Sequence, residues 1–217
     1  MLYLIAWLET SASEKKMSIS IFFALFIFSG YLTKGRVASD DFYTFEAVDI
    51  NGQVVNMENY RGKVVLIVNV ASQCGFTDGH YSSLPTLQEL LGKNNKFQVL
   101  AFPCNQFGGQ EPWTNKEIKN WVTNKYKLNF PLFSKINVIE ENVHPIFQYV
   151  IKLSGKEPNW NFWKYLIDHT GKVQHAWGPW SDIEEIFPYV KTAVEMAEKI
   201  VENDGDKHDR TIVRDDL

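Results

Sequence analysis

The stretch that most restricts the fold is Lys63-Val-Val-Leu-Ile-Val-Asn-Val70. A continuous apolar run rich in β-branched residues reads as a strand buried on both faces, which requires packed layers on either side of a sheet. Ala71-Ser-Gln73 breaks the run, Cys74-Gly75 follows, and Tyr81, Leu84, Leu87, Leu90 and Leu91 repeat at helical spacing. Cys74 therefore falls in a turn between a buried strand and a helix. The free N–H groups and positive dipole end of a helix favour thiolate over thiol, and the thiolate is the nucleophile. The opposing reading is a small buried hydrophobe, the usual fate of a free cysteine. The polar Ser-Gln-Cys-Gly setting favours the reactive one.

The same pattern extends in both directions. Thr44–Asp49 and Gln53–Val55 flank Asn51-Gly52, a two-residue hairpin signal. Phe97–Phe102 reads as a second strand, closing a right-handed parallel β-α-β unit with the helix that ends at Leu91-Gly92. Thr114-Asn-Lys-Glu117 is a capping box for a helix to about Lys127, and Phe130-Pro131 continues in extended form. His144-Pro145 opens a further helix that Gly155 stops. Tyr165–Ile167 and Val173–Trp177 flank the turn Asp168–Gly171. Asp182–Glu185 is a charged first turn before a last helix with Val190, Val194, Ala197 and Val201 on one stripe. This order predicts an α/β, thioredoxin-like fold: an N-terminal β-hairpin and a central mixed sheet flanked by helices.

The ends carry different signals. Ile19–Leu32 is an apolar run behind Lys15 and Lys16, short for a bilayer span and suited to a signal-peptide core, with a cleavage site after Val37-Ala-Ser39. A retained signal anchor is the alternative. Residues 1–39 are thus expected to be a leader, 40–202 the folded domain and 203–217 a polar tail. Met1–Lys16 reads as an upstream extension, Met17 being a natural start. The net charge of -4 argues against nucleic acid as a principal partner. With two cysteines the chain is no disulfide scaffold, and neither forms a metal-ligand pattern with the five histidines.

Three separated stretches carry the chemistry: Asn69-Val-Ala-Ser-Gln-Cys-Gly-Phe-Thr77, Leu100-Ala-Phe-Pro-Cys-Asn-Gln-Phe-Gly108 and Asn159-Trp-Asn-Phe-Trp-Lys164. Together, in this order, they closely resemble the glutathione peroxidase family, over a span from Asp41 to about Ile200. Asp41-Phe-Tyr-Thr-Phe45 and Trp160–Leu166 are most similar to its endoplasmic-reticulum, cysteine-type branch of seven- and eight-type members. The resemblance implies that Cys74 is the peroxidatic nucleophile and that Gln106, Trp160 and Asn161 complete its tetrad. Amide and indole N–H groups donate hydrogen bonds to a thiolate and to a departing oxyanion without themselves carrying charge.

It further implies a peroxidase acting on hydrogen peroxide and on lipid hydroperoxides, through a Cys74 sulfenic acid. No cofactor or metal is expected. Glutathione or a protein dithiol such as a disulfide isomerase would act as reducing co-substrate. Thioredoxin-dependent two-cysteine members carry a resolving cysteine on the helix matching Thr114–Lys127, and this helix has none. Cys104, expected at the same end of the sheet as Cys74, is either a slow resolving residue or a packing residue. The short stretch Ile136–His144 resembles that of monomeric members, which lack an assembly loop. The final Arg214-Asp-Asp-Leu217 resembles a retention signal, placing the protein in the lumen of the secretory pathway. A non-enzymatic thioredoxin-like sensor or adaptor for oxidoreductases is the competing class. Peroxide turnover, against a single stoichiometric oxidation, separates the two.

Overall fold

The computed structural model describes residues 41–212, with side chains described as far as residue 199. The expected leader, its cleavage site and the Arg214–Leu217 signal lie outside the described residues. Strand β3 (Val64–Val70) is the apolar run found in the sequence, and all seven of its residues are buried. It lies at the centre of a four-stranded sheet of order β4-β3-β5-β6. β4 (Phe97–Pro103) pairs with it in parallel, Val64 opposite Phe97 through Val70 opposite Pro103. β5 (Lys164–Ile167) pairs with it antiparallel and forms a hairpin with β6 (Val173–Trp177).

The period-two alternation of β3 divides the core. Val64, Leu66, Val68 and Val70 face one apolar cluster, which includes Tyr81, Leu84 and Leu87 of α1 (Thr77–Leu91). Ile118 and Val122 of α2 (Asn115–Tyr126) join it, as do Ile183, Ile186, Val190, Val194 and Ala197 of α4 (Ile183–Ile212). Val65 and Ile67 face a second cluster, with Ile146, Phe147 and Val150 of α3 (Pro145–Ser154) and Ala47 of the hairpin. Each such aliphatic side chain stabilises the fold by about 1.5–3 kcal/mol relative to exposure, so both faces contribute to a sandwich of three layers.

Local signals act as expected at most boundaries. The Thr114/Glu117 capping box forms in both directions, Pro145 begins α3, and Gly155 ends it at φ 65°. Two boundaries differ. The hairpin of β1 (Glu46–Val48) and β2 (Val54–Asn56) is closed not by Asn51-Gly52 alone. Asp49 pairs with Gln53 around a three-residue loop that ends at Gly52, φ 86°. The Asp49 carboxylate accepts from the amides of Asn51 and Gln53, both at 2.8 Å, and this asks for one more residue than a two-residue turn. The last helix also runs on to Ile212, past the expected tail boundary at Asn203. Once a helix is nucleated by a packed segment, each further polar residue adds one hydrogen bond at little cost.

Candidate active site

The chain after β3 does not enter α1 directly but turns through residues 71–76. Thr77 fixes that turn. Its hydroxyl donates to the Ala71 carbonyl at 2.7 Å and accepts from the Cys74 amide at 3.1 Å, while its own amide donates to the Cys74 carbonyl at 3.0 Å. Cys74 is 8% exposed and stands just ahead of the first turn of α1, where unpaired helix N–H groups concentrate positive potential. The thiol is thus sheltered but reachable, and its turn is rigidly built.

The segment 160–163 is brought to this turn by Asn69, a fully buried polar residue on β3. Its side chain donates to the Trp160 carbonyl at 3.1 Å and accepts from the Trp163 amide at 2.9 Å. Its own backbone carbonyl accepts from the Phe162 amide at 2.7 Å. Phe162 takes a left-handed conformation, φ 64°, which costs on the order of 1–2 kcal/mol for a residue with a side chain. Burial of its ring, 4.8 Å from His80 and 5.9 Å from Tyr81, helps to hold that conformation. Trp160 is half-buried at the rim and packs against both core clusters, its ring 6.3 Å from that of Phe107.

Asn161 is fully buried, and its amide nitrogen donates to the Gln110 side-chain oxygen at 2.9 Å. The backbone of Gln110 reaches the Cys74 turn as well, its carbonyl accepting from the Gln73 amide at 3.0 Å. Gln110 is therefore the amide that joins Asn161 to the cysteine turn, and it was not among the residues read from the sequence. Gln106, which was, has its side chain occupied elsewhere. Its oxygen accepts from the Val138 and Ile139 amides at 2.6 and 3.1 Å, and its nitrogen donates to the Ile139 carbonyl at 2.7 Å. In the structure the Gln106 side chain thus organises the 138–139 loop, and the glutamine hydrogen-bonded to Asn161 is Gln110. The signal lay in the sequence, since Gly108-Gly109 opens the backbone at φ 65° and 64° and turns the next glutamine back to the site.

Cys104 directly follows β4, at the same end of the sheet as Cys74, and its amide donates to the Val70 carbonyl at 3.0 Å. Its side chain nevertheless lies in the other core cluster, fully buried. Burial pushes its thiol up to about 11. Both cysteines are free. The two cysteines therefore pack into different core clusters, a separation that the adjacency of the strands in sequence does not reveal.

Three buried ionisable side chains, Lys164, His80 and Glu111, went unnoticed in the sequence. Lys164, fully buried on β5, donates to the carbonyls of Phe162 and Gly178 at 2.9 and 3.1 Å and lies 2.9 Å from His80 Nε2. Desolvation pulls Lys164 down to about 7 and His80 to about 4, the latter with help from the lysine charge. Glu111 is fully buried beside Ser72, whose hydroxyl donates to it at 3.0 Å. Burial raises its carboxyl to about 7 against the opposing pull of the Ser72 hydrogen bonds and of Lys135.

A family profile described as "Glutathione peroxidase" matches residues 42–151. Glutathione peroxidase 7 of Bos taurus is 55% identical over 154 residues, covering 71% of this chain and 82% of that protein. The chain belongs to the glutathione peroxidase family. Probable glutathione peroxidase 8-B of Xenopus laevis is 41% identical over 188 residues, 84% of this chain and 90% of that one. Similarity to both types places this peroxidase in the seven- and eight-type branch. Among solved structures, a thiol:disulfide interchange protein of the thioredoxin family from Chlorobium tepidum superposes with a TM-score of 0.53 at 15% identity. It covers 71% of this chain and 95% of that one, which makes the fold thioredoxin-like. The protein is a cysteine peroxidase.

Proposed function

We propose that Cys74 is the peroxidatic cysteine and that Asn161, Gln110 and Trp160 are the groups that assist it. The observation carrying this reading is the 2.9 Å bond between Gln110 and Asn161, formed where the Gln110 backbone also braces the Cys74 turn. Asn161 Oδ1 is buried without a partner. Turning both amides by 180° preserves the bond between them and leaves an Asn161 N–H free to donate, so the pair can present either a donor or an acceptor to a reacting oxygen.

In the reaction, the Cys74 thiolate attacks one oxygen of the peroxide. The S–O bond forms as the O–O bond breaks, and Cys74 becomes a sulfenic acid. The second oxygen leaves as alkoxide or hydroxide and takes up a proton to give an alcohol or water, its charge meeting the amide and indole donors as it develops. A reducing thiol then attacks the sulfenic sulfur, releasing water and forming a mixed disulfide. A second thiol displaces Cys74 as thiolate and completes the cycle. The chemistry belongs to the sulfur and uses no resident metal or cofactor.

The external thiol is glutathione or a protein dithiol of the disulfide-isomerase kind. Burial of Cys104 in the other core cluster favours this route over an internal disulfide, because its raised thiol offers little thiolate. Hydrogen peroxide and lipid hydroperoxides are the substrates, the protein acts as a monomer, and the leader and Arg214–Leu217 direct it to the lumen of the endoplasmic reticulum. Among the described residues, no helix is long and apolar enough to cross a membrane.

Peroxide consumption with glutathione or reduced disulfide isomerase as donor tests this reading. Catalytic turnover is expected from the wild type and none from folded Cys74→Ser, whose hydroxyl is a poor nucleophile without an activating base. A wild type that oxidises once and stops would instead be a sensor. Turnover by Cys74→Ser would remove Cys74 from the mechanism.

A further inference from the structure

Glu111 has no role in the chemistry above, yet its burial needs a reason. It is fully buried, one residue beyond Gln110, and its carboxylate accepts from the Ser72 hydroxyl, with the Ser72 backbone also hydrogen-bonded to it. Ser72 lies in the turn, two residues ahead of Cys74. The backbone of Glu111 is fixed independently: its amide donates to the Asn105 side chain at 2.8 Å and its carbonyl accepts from the Lys135 ammonium at 3.0 Å. Glu111 thus stands on a rigid support and reaches across to the turn that carries the nucleophile. Its second oxygen, Oε1, is buried without a partner, as is the Tyr81 hydroxyl of α1, with which the carboxylate interacts electrostatically. Such orphaned oxygens are costly, and a neutral structural residue would serve more cheaply if packing were the only requirement.

We propose that Glu111 is a positioning residue for the Cys74 turn, its buried carboxyl acting as a protonation-sensitive latch on Ser72. This rests on the reading of Cys74 as the reactive cysteine. The ionised carboxylate takes charge-assisted hydrogen bonds from Ser72, about twice as strong as neutral ones. A proton arriving on the partnerless Oε1 removes the charge and loosens the hold on the turn without breaking its geometry outright. The charged and titratable groups facing Glu111 are few: Tyr81 from α1, Cys104 from the end of β4 and Lys135 from the loop before α3. Burial keeps Cys104 a thiol and Tyr81 a phenol at neutral pH, so the carboxyl itself is the group that changes charge there. Its position near 7 places the change within the working range of a cell.

The test is site-resolved alkylation of Cys74 by iodoacetamide from pH 5 to 9. Each rate is divided by the thiolate fraction measured from ultraviolet absorbance, so that ionisation of the sulfur itself drops out. The wild type should show a residual step centred near pH 7, rising with pH by about threefold to tenfold, the scale of one strengthened hydrogen bond. The step should vanish in Glu111→Gln, which keeps shape and removes the titration. It should shrink in Ser72→Ala, which removes the hydroxyl bond and leaves Glu111 and its bond to the residue-72 backbone in place. If Glu111→Gln does not fold, that reduction alone decides. A wild-type profile without the step, a step surviving in folded Glu111→Gln, or an undiminished step in Ser72→Ala overturns the proposal. Oxidation by hydrogen peroxide, measured on the same samples, tests the underlying reading separately: a wild-type Cys74 that alkylates with the step but resists peroxide overturns the peroxidatic role and leaves the latch standing.

Discussion

Replacing Asn69 with alanine should both weaken the fold and slow the chemistry, for one reason. The Asn69 side chain makes two hydrogen bonds to the segment that bears Trp160 and Asn161, at 3.1 and 2.9 Å. Alanine keeps the backbone contacts of β3, including acceptance from the Phe162 amide, so the segment remains attached. What it loses is a donor to one part-buried carbonyl and an acceptor for one part-buried amide. Each group left unpaired costs about 1–3 kcal/mol when fully buried, which gives a destabilisation of at most about 2–6 kcal/mol. Because Phe162 sits in a strained left-handed conformation, a segment freed of its clamp should relax away from it and carry Asn161 with it. Oxidation of Cys74 should then slow by about tenfold or more, since a positioned donor is displaced rather than deleted. Urea denaturation gives the first quantity, and stopped-flow oxidation by hydrogen peroxide the second. A loss of stability with an unchanged oxidation rate would mean that Asn69 braces the sheet without placing the site. Neither effect appearing would refute the clamp altogether.

Three further outcomes are expected. Gln110→Ala should slow Cys74 oxidation by roughly tenfold to a thousandfold, whereas Gln106→Ala should leave it nearly unchanged but lower stability by freeing the Val138 and Ile139 amides; comparing the two oxidation rates decides which glutamine serves the cysteine. Cys104→Ser should retain most peroxidase turnover with a reduced disulfide isomerase as donor, and a variant that oxidises at Cys74 but fails to turn over would make Cys104 the resolving residue. The Glu111 carboxyl, raised from 4.5 to about 7 in the folded state, contributes stability that is complete below pH 4.5 and lost as pH rises through 7. Denaturation of wild type and Glu111→Gln across pH 4–8 should therefore show their difference shifting by on the order of 3 kcal/mol against the wild type as pH rises, and a difference independent of pH would place the carboxyl in a less buried setting.

Much of this protein was legible in one dimension because the decisive signals were local. An uninterrupted β-branched run has few fates other than a central strand, a capping box starts its helix within four residues, and His144-Pro145 and Gly155 delimit another without help from elsewhere. The setting of Cys74 was legible for the same reason: a strand-to-helix turn is a property of adjacent residues. The partners of that cysteine were a different matter. Two glutamines four positions apart, Gln106 and Gln110, are equivalent to any reading of composition, and the two glycines between them decide which one returns to the site. Cys104 and Cys74 follow neighbouring strands, so sequence puts them at one end of the sheet. Only the packing assigns their side chains to opposite faces, because the face a residue occupies at a strand end depends on the pleat and on the turn that follows. Asn69, Lys164 and Glu111 look like interruptions of apolar or loop sequence until the fold shows what each one reaches. A buried polar group takes its meaning from its hydrogen-bond partner, and here those partners come from segments that only the tertiary structure brings together.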